Sequence, residues 1–311
     1  MRHHAKHLWG FVRNFRVAFG LGLLVVANCA PNTSHDQSAS KGHNNAPKRI
    51  VSLDYCADQF VLKLADRSKI VALSPEATRD FSYLRQQAVG LFGVRPSAEE
   101  VLALKPDLIV RSYGGEPHSV AFFERAGIKV HQIGWGGDFE AVRTNVRDAA
   151  AAMGQTSRGE AVIKDFDKRL ENLVPAEGVS TLYVTSGGVT TGKGSLIDLM
   201  MTHAGLTNFQ IQPGWNPLPL ERLATTRPDM LATAFFDDSA LARDYWSSAR
   251  HPIIREALSN IPVAALDGAT TACGGWFIMD AIEALAKQGN AVAAASRPKP
   301  LIARPTHKDG L

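Results

Sequence analysis

Along most of this chain, short apolar runs rich in β-branched residues alternate with stretches whose apolar residues recur every three or four positions. RIVSL, from Arg49, reads as a strand, and Asp54 to Asp58 as a turn opening a helix over QFVLKLA. KIVALS, from Lys69, is a second strand, followed by a polar loop and short helix between Pro75 and Gly93. DLIVRS then gives a third strand, ending in the turn Tyr113-Gly114-Gly115. A helix around Val120 to Ala126 and a strand from Gly127 toward Trp135 follow. Such βαβαβ alternation predicts a mainly parallel sheet wrapped by helices.

From Phe139 to Leu173 the period is almost purely helical. Phe139, Val142, Val146, Ala149 and Met153 mark one apolar face, and after Gly154 the pattern resumes with Ala161, Phe166 and Leu170. This predicts a two-helix connector able to strap one α/β lobe to another. The alternation then restarts with the strand TLYVTS, a glycine-rich turn from Gly187 to Ser195, and a helix over Leu196 to Ala204 with Ser195 as N-cap. Gly205 to Asn208 reads as a loop. Beyond it come the strand DMLATAF, a helix over Pro252 to Leu258, a strand over Pro262 to Leu266 and a last helix near Phe277 to Lys287.

One unit occurs twice. EEVLALKPDLIV from Glu99 and ERLATTRPDMLA from Glu221 each place a Glu seven positions before a Pro-Asp pair that leads into apolar residues. Each reads as a short helix stopped by the residue before a proline, then a buried strand. A single copy would be an ordinary α/β corner with a solvated first-turn Glu. Two copies 122 positions apart point to two similar lobes.

Composition adds little to this picture until the ends are considered. The net charge is +4 and the pI about 9.0, but the first sixteen residues hold Arg2, Lys6, Arg13 and Arg16 without an acid. No internal basic run with interleaved aromatics accompanies them, which speaks against nucleic acid as a partner. The basic start precedes the apolar run Val17 to Ala27, short for a membrane span and the right size for a secretory signal. Residues 1–29 are therefore expected to be a signal peptide, with Val25 and Ala27 as small residues for cleavage. Cys29 stands where a lipid anchor is attached in bacterial lipoproteins, although Asn28 occupies a place that motif gives to Gly, Ala or Ser. Residues 30–47 read as a disordered tether and 296–311 as a flexible tail. Between them the expectation is an N-terminal lobe over 48–138, a helical linker over 139–178 and a C-terminal lobe over 179–295.

PSAEEVLALKPDLIV, the helical strap, TSGGVTTGKGSLIDLMMTHAGLTN and LPLERLATTRPDMLA resemble, in that order, periplasmic solute-binding proteins of ABC importers for cobalamin and ferric siderophores. The resemblance implies an α/β fold of two Rossmann-like lobes with mainly parallel sheets joined by a long helical linker, that of class III periplasmic binding proteins. It also implies a monomer that captures a metal chelate, a corrinoid or ferric siderophore, in the interlobe cleft and delivers it to the transmembrane subunits of a permease. No cofactor of its own is expected. The glutamates that dock such a protein on arginines of its permease correspond to Glu99 and Glu221, with adjacent Glu100 a weaker claimant.

Ligands of open parallel sheets lie beyond the carboxyl ends of the strands. The loops there are rich in aromatics: Tyr55, Tyr83, Phe92, Tyr113 and Trp135 in the first half, and Trp215, Phe236, Trp246 and Trp276 in the second. Each alone could equally be core; as a set they suit a bulky ligand, with Tyr113 and Trp215 foremost. Arg79, Arg95 and Arg111 could serve an anionic ferric complex, or be surface arginines; Arg95 is retained as a site candidate. The glycine turn 187–195 resembles a phosphate loop but puts Gly194 where Ser or Thr must follow the Lys. Five of the ten His precede residue 44 and the rest lack metal-ligand spacing. Absence of a nucleophile elbow or paired carboxylates leaves an exported α/β enzyme as the alternative rather than the expectation. Cys56 and Cys273 both sit in turns between a strand and a helix, and a disulfide and two separate buried thiols are both open.

Overall fold

The computed structural model describes residues 46–235 and 247–296, so the expected signal peptide, nearly all of the expected tether and tail, Phe236 and Trp246 lie outside the described residues. The first half contains β1 (Ile50–Ser52), α1 (Tyr55–Leu64), β2 (Ile70–Ala72), α2 (Arg85–Ala88), α3 (Ala98–Ala103), β3 (Leu108–Arg111), α4 (Ser119–Arg125) and β4 (Lys129–Gln132). Two longer helices follow, α5 (Phe139–Ala152) and α6 (Thr156–Glu171). The second half contains β5 (Val179–Thr185), β6 (Val189–Thr191), α7 (Leu196–His203), β7 (Leu206–Asn208), β8 (Trp215–Pro217), α8 (Leu220–Thr225) and β9 (Met230–Phe235). It closes with α9 (Pro252–Asn260), β10 (Val263–Asp267) and α10 (Ile278–Ser296).

Each half builds one four-stranded, all-parallel sheet, ordered β2-β1-β3-β4 and β7-β5-β9-β10. The two orders are the same, since in each the first strand is central, the second lies on one side, and the third and fourth lie on the other. A separate antiparallel ribbon, β6 with β8, is extra to the second half. The crossover direction therefore reverses between β1 and β3, which is where a parallel sheet opens a crevice.

The repeated unit explains this likeness at atomic level. Asp107 accepts from the amides of Lys48 (2.8 Å) and Arg49 (2.9 Å), while its own N–H donates to the Arg49 carbonyl. Asp229 likewise accepts from the Ser180 amide at 2.8 Å and donates its N–H to the Ser180 carbonyl. Each Pro-Asp corner thus clamps the start of the central strand of its sheet. Arg49 also donates to the Leu104 carbonyl at 2.7 Å, satisfying the end of α3, where Lys105 turns through φ 49°.

The two halves share a core. A single cluster runs from Ile50 and Phe60 through Val142 and Phe166 to Tyr183, Met200 and Leu285. Within α10, Ile278, Ile282 and Leu285 are wholly buried at helical spacing. α6 spans the halves: Arg158 near its start pairs with Asp66 (3.0 Å), and Arg169 near its end with Asp280 (2.6 Å) and Glu283 (2.8 Å) of α10. Cys56 and Cys273 form a disulfide with Cα atoms 5.8 Å apart, which closes the question left open by their positions in sequence.

Several expected details differ. Ala161 is exposed and Val162 and Ile163 face the core instead. Gly205 to Asn208 contains the edge strand β7 rather than only a loop, because Leu206 pairs with Val179 and is buried. The glycine turn 187–195 contains β6. The last helix runs nine residues past Lys287 on alanine-rich sequence, which favours helix without marking a face.

Asp58 of α1 is wholly buried and accepts from the Ser74 hydroxyl (2.6 Å) and amide (3.1 Å). Desolvation pushes its carboxyl up to about 6, with the Ser74 bonds acting in the opposite direction. The folded state therefore holds a proton between about pH 4 and 6 that the unfolded chain has released. Stability from this group is fully present below that window and is lost as pH rises through it, by about 3 kcal/mol. Asp58→Asn is expected to flatten the pH dependence of thermal unfolding across the window and to raise stability at neutral pH; an unchanged slope would refute the assignment.

Candidate ligand-binding cavity

A cavity of about 600 Å³ opens at the carboxyl ends of β1, β3 and β4. Tyr55, Cys56 and Phe60 of α1 form one side, Ser112 and Tyr113 after β3 and Gln132 to Gly136 after β4 form the next, and Ala272 to Gly274 close it from the second half. It sits at the switch point between β1 and β3.

Asp54 builds two of these walls. The residue is buried, and its Oδ1 caps α1 by accepting from the Ala57 amide at 2.9 Å. Its Oδ2 accepts from the amides of Ser112 (2.6 Å), Tyr113 (3.1 Å) and Gly114 (2.8 Å). One carboxylate thus orients the helix start carrying Tyr55 and Cys56 and the turn carrying Tyr113. Gly114 is needed for this approach, since a Cβ there would lie 2.3 Å from the Leu53 carbonyl oxygen. The Tyr113 and Tyr55 rings meet edge to face at 5.7 Å, with Phe81 5.0 Å beyond Tyr55.

The third wall is fixed in a similar way. Asn145 of α5 accepts from the Gly134 amide at 3.0 Å and donates to the Gly134 carbonyl at 2.8 Å. The Gln132 carboxamide donates to the Ser112 carbonyl, joining the ends of β3 and β4. Trp135 then projects at the mouth, 85% exposed.

Among the described residues, no Lys, Arg, Asp or Glu side chain lines the cavity. Burial, followed by the nearby charge of Asp54, raises the Tyr55 phenol, and burial, followed by Tyr55 and Asp54, raises that of Tyr113 strongly. Both phenols are protonated at neutral pH and offer neutral donors and acceptors. The chemistry available is stacking, apolar contact and hydrogen bonding without ion pairing.

Of the expected site residues, Tyr55, Tyr113 and Trp135 come together here. Trp276 does not: it is 7% exposed and packs edge-on against Phe60 and Phe277, because it opens the apolar face of the last helix. Tyr83 stacks on Phe277 and donates its hydroxyl to Asp280 at 2.6 Å. Phe92 is 61% exposed at the edge of the first sheet, where its carbonyl accepts from Leu73. Arg95 pairs with Glu100 at 2.6 Å and is not among the residues lining this cavity. Trp215, 60% exposed on β8, lies against the Tyr183 ring and is not among the residues lining this cavity. Asp54, Asn145 and the Gly134-Gly136 and Gly274 backbones were missed as site elements. The N-cap pattern after β1 and the paired glycines were the available signals.

Glu99 and Glu221 are both exposed in the first turns of α3 and α8. Neither has a hydrogen bond or ion pair among the described residues, whereas Glu100 is held by Arg95. In the glycine turn, the Gly188, Gly192 and Gly194 amides are bonded to Thr185, Gly214 and Asp198, which leaves no cradle for a phosphate there. No three His, Cys, Asp or Glu side chains among the described residues are placed to hold a metal ion. Among the same residues no helix is long and apolar enough to cross a membrane.

Two like-ordered parallel sheets, a helical strap and an aromatic cavity at the strand ends define a class III binding-protein architecture. The periplasmic binding protein family model matches residues 50–239, and the chain belongs to that family of substrate-binding proteins. A search of the curated proteins finds no match. Among solved structures, a periplasmic heme-binding protein from Pseudomonas aeruginosa is 24% identical, with 82% of this chain and 95% of that one covered and a TM-score of 0.61. The periplasmic heme-binding protein RhuT from Roseiflexus sp. RS-1 is 22% identical, covering 79% and 99%, with a TM-score of 0.62. The periplasmic vitamin B12 binding protein BtuF of Vibrio cholerae is 20% identical, covering 79% and 98%, with a TM-score of 0.61. At these identities the likeness is one of fold.

Replacing Asp54 by Ala leaves the Ser112, Tyr113 and Gly114 amides without their acceptor and removes a helix cap. A loss of about 3 kcal/mol or more in denaturant unfolding is expected, together with faster hydrogen exchange at those three amides. Unchanged protection of the 112–114 amides would contradict this organising role.

Proposed function

We propose that this protein captures a metal chelate with a broad apolar face and an uncharged rim, of the corrinoid kind, and delivers it to an ABC permease. The observation that carries the reading is the cavity itself, aromatic on the first-half side and free of charged side chains among the described residues. A polyanionic ferric siderophore would be desolvated there without a partner for its charge, which is costly. Amide-rimmed corrinoids need only the hydroxyls, the carboxamide and the backbone groups that the cavity offers. Ferric haem is the second reading, favoured by the two phenols, since a tyrosine oxygen is one of the ligands that haem iron accepts. The family, together with solved relatives named for heme and vitamin B12, supports this substrate class.

The basic and apolar stretch 1–29 fits export, with Cys29 as a site for a lipid anchor, and residues 48–138 and 179–295 serve as the two lobes. Glu99 and Glu221 are the docking knobs. Each is exposed in the first turn of a short helix that leads into a strand of its own sheet, β3 or β9. Two unpaired acids in matching places suit a two-fold partner bearing basic groups.

Tryptophan-fluorescence titration tests the ligand, because Trp135 stands at the mouth. Saturable quenching by cyanocobalamin, with the ligand recovered unchanged, is expected; quenching by a ferric siderophore alone would overturn the reading. For the partner, Glu99→Ala with Glu221→Ala should leave affinity within about twofold and cut uptake by about tenfold or more. Uptake equal to wild type would remove the docking assignment.

A further inference from the structure

The cavity wall is a closed circuit of chain. From Tyr55 it passes to Cys56, across the disulfide to Cys273, and on to Gly274. The Gly274 backbone rests against that of Gly136 so closely that a Cβ on Gly274 would lie 2.5 Å from the Gly136 Cα. The circuit continues through Trp135 and Gly134, held by Asn145, to Gln132, which is bonded to Ser112. Tyr113 returns it to Tyr55 by ring contact.

The hydrogen bonds of the segment that supplies the second-half side are largely local, although Asp267 also pairs with Arg85 of the first half at 3.7 Å and Ala269 to Thr271 are buried. Asp267 accepts from Ala269, Thr270 donates to Asp267, Thr271 to Gly268, and Gly275 to Cys273, all within four residues. Across to the first half, residues 272–275 have the disulfide, the glycine contact and the packing of Ala272 and Cys273 on the shared core, and beyond them Trp276 meets Phe60 and Lys63. One link in the circuit is therefore covalent and reducible, and both its cysteines line the cavity.

We propose that Cys56–Cys273 is a thiol–disulfide exchange site that latches the cavity, with a dithiol as its co-reactant. A thiolate of the dithiol attacks one of the two sulfurs and displaces the other as a thiolate, which takes up a proton. The second thiol of the reductant then resolves the mixed disulfide. Two electrons pass to the protein, which ends as two thiols, while the dithiol ends as its own disulfide. With the bond open, residues 272–275 separate from α1 and the ligand leaves through the gap. This rests on the cavity being the ligand site. Linkage makes the effect reciprocal: if reduction weakens binding, an occupied cavity resists reduction by the same factor.

The test uses the full chain, dithiothreitol as the dithiol, alkylation with mass spectrometry at Cys56 and Cys273, and hydrogen exchange. Native reduction should raise exchange at 272–275 and 134–137 by about tenfold or more, with the amides of β5 and β9 unchanged. The Cys56→Ala, Cys273→Ala variant should show the same exchange pattern and release cyanocobalamin about tenfold faster. Exchange at 272–275 and 134–137 that is the same in both states, or alkylation only upon global unfolding, would overturn the latch. Failure of cyanocobalamin to bind the oxidised protein would strike the corrinoid reading alone, with the exchange comparison still deciding the latch.

Discussion

The site depends on one buried carboxylate. Asp54 takes four backbone N–H groups, one from the helix after β1 and three from the turn after β3. Those two strands are neighbours whose crossovers leave in opposite directions, so their ends would otherwise diverge. Hydrogen bonds to a charged acceptor are each worth about 1.5 to 3 kcal/mol net, enough to fix loops that surface packing alone would leave mobile. The aromatic walls follow from that fixation, since Tyr55 and Tyr113 flank the bonded groups.

A second constraint is the duplication. Both halves place an Asp after a proline at the foot of the central strand, and both wind their strands in the same order. That equivalence sets two short helices, and the first-turn acids on them, in matching places. The shared core, the disulfide and the ion pairs of α6 then tie the halves together. The covalent tie lies in the one wall of the cavity contributed by the second half.

How much of this could be read from the chain varied by element. Strands β1, β3, β5 and β9 were plain because buried parallel strands are runs of apolar, β-branched residues. β7 was not, because an edge strand needs only one buried residue, Leu206. Of the aromatic residues after the strands, Tyr55, Tyr113 and Trp135 line the cavity. Position relative to a strand does not say which way a ring faces, though, and Trp276 turned into the core where Tyr113 turned into the cavity. Asp54 read only as the start of a turn opening a helix, and its three bonds to 112–114 span about sixty positions and come from the pairing of β1 with β3. The disulfide depended on a loop of the second half reaching α1, which spacing cannot reveal.

The most direct measurement is anomalous diffraction at the cobalt edge from crystals grown with cyanocobalamin. The account predicts one cobalt peak inside the cavity bounded by Tyr113, Trp135 and Cys273. A peak elsewhere on the molecule, with that cavity holding only solvent, would contradict it.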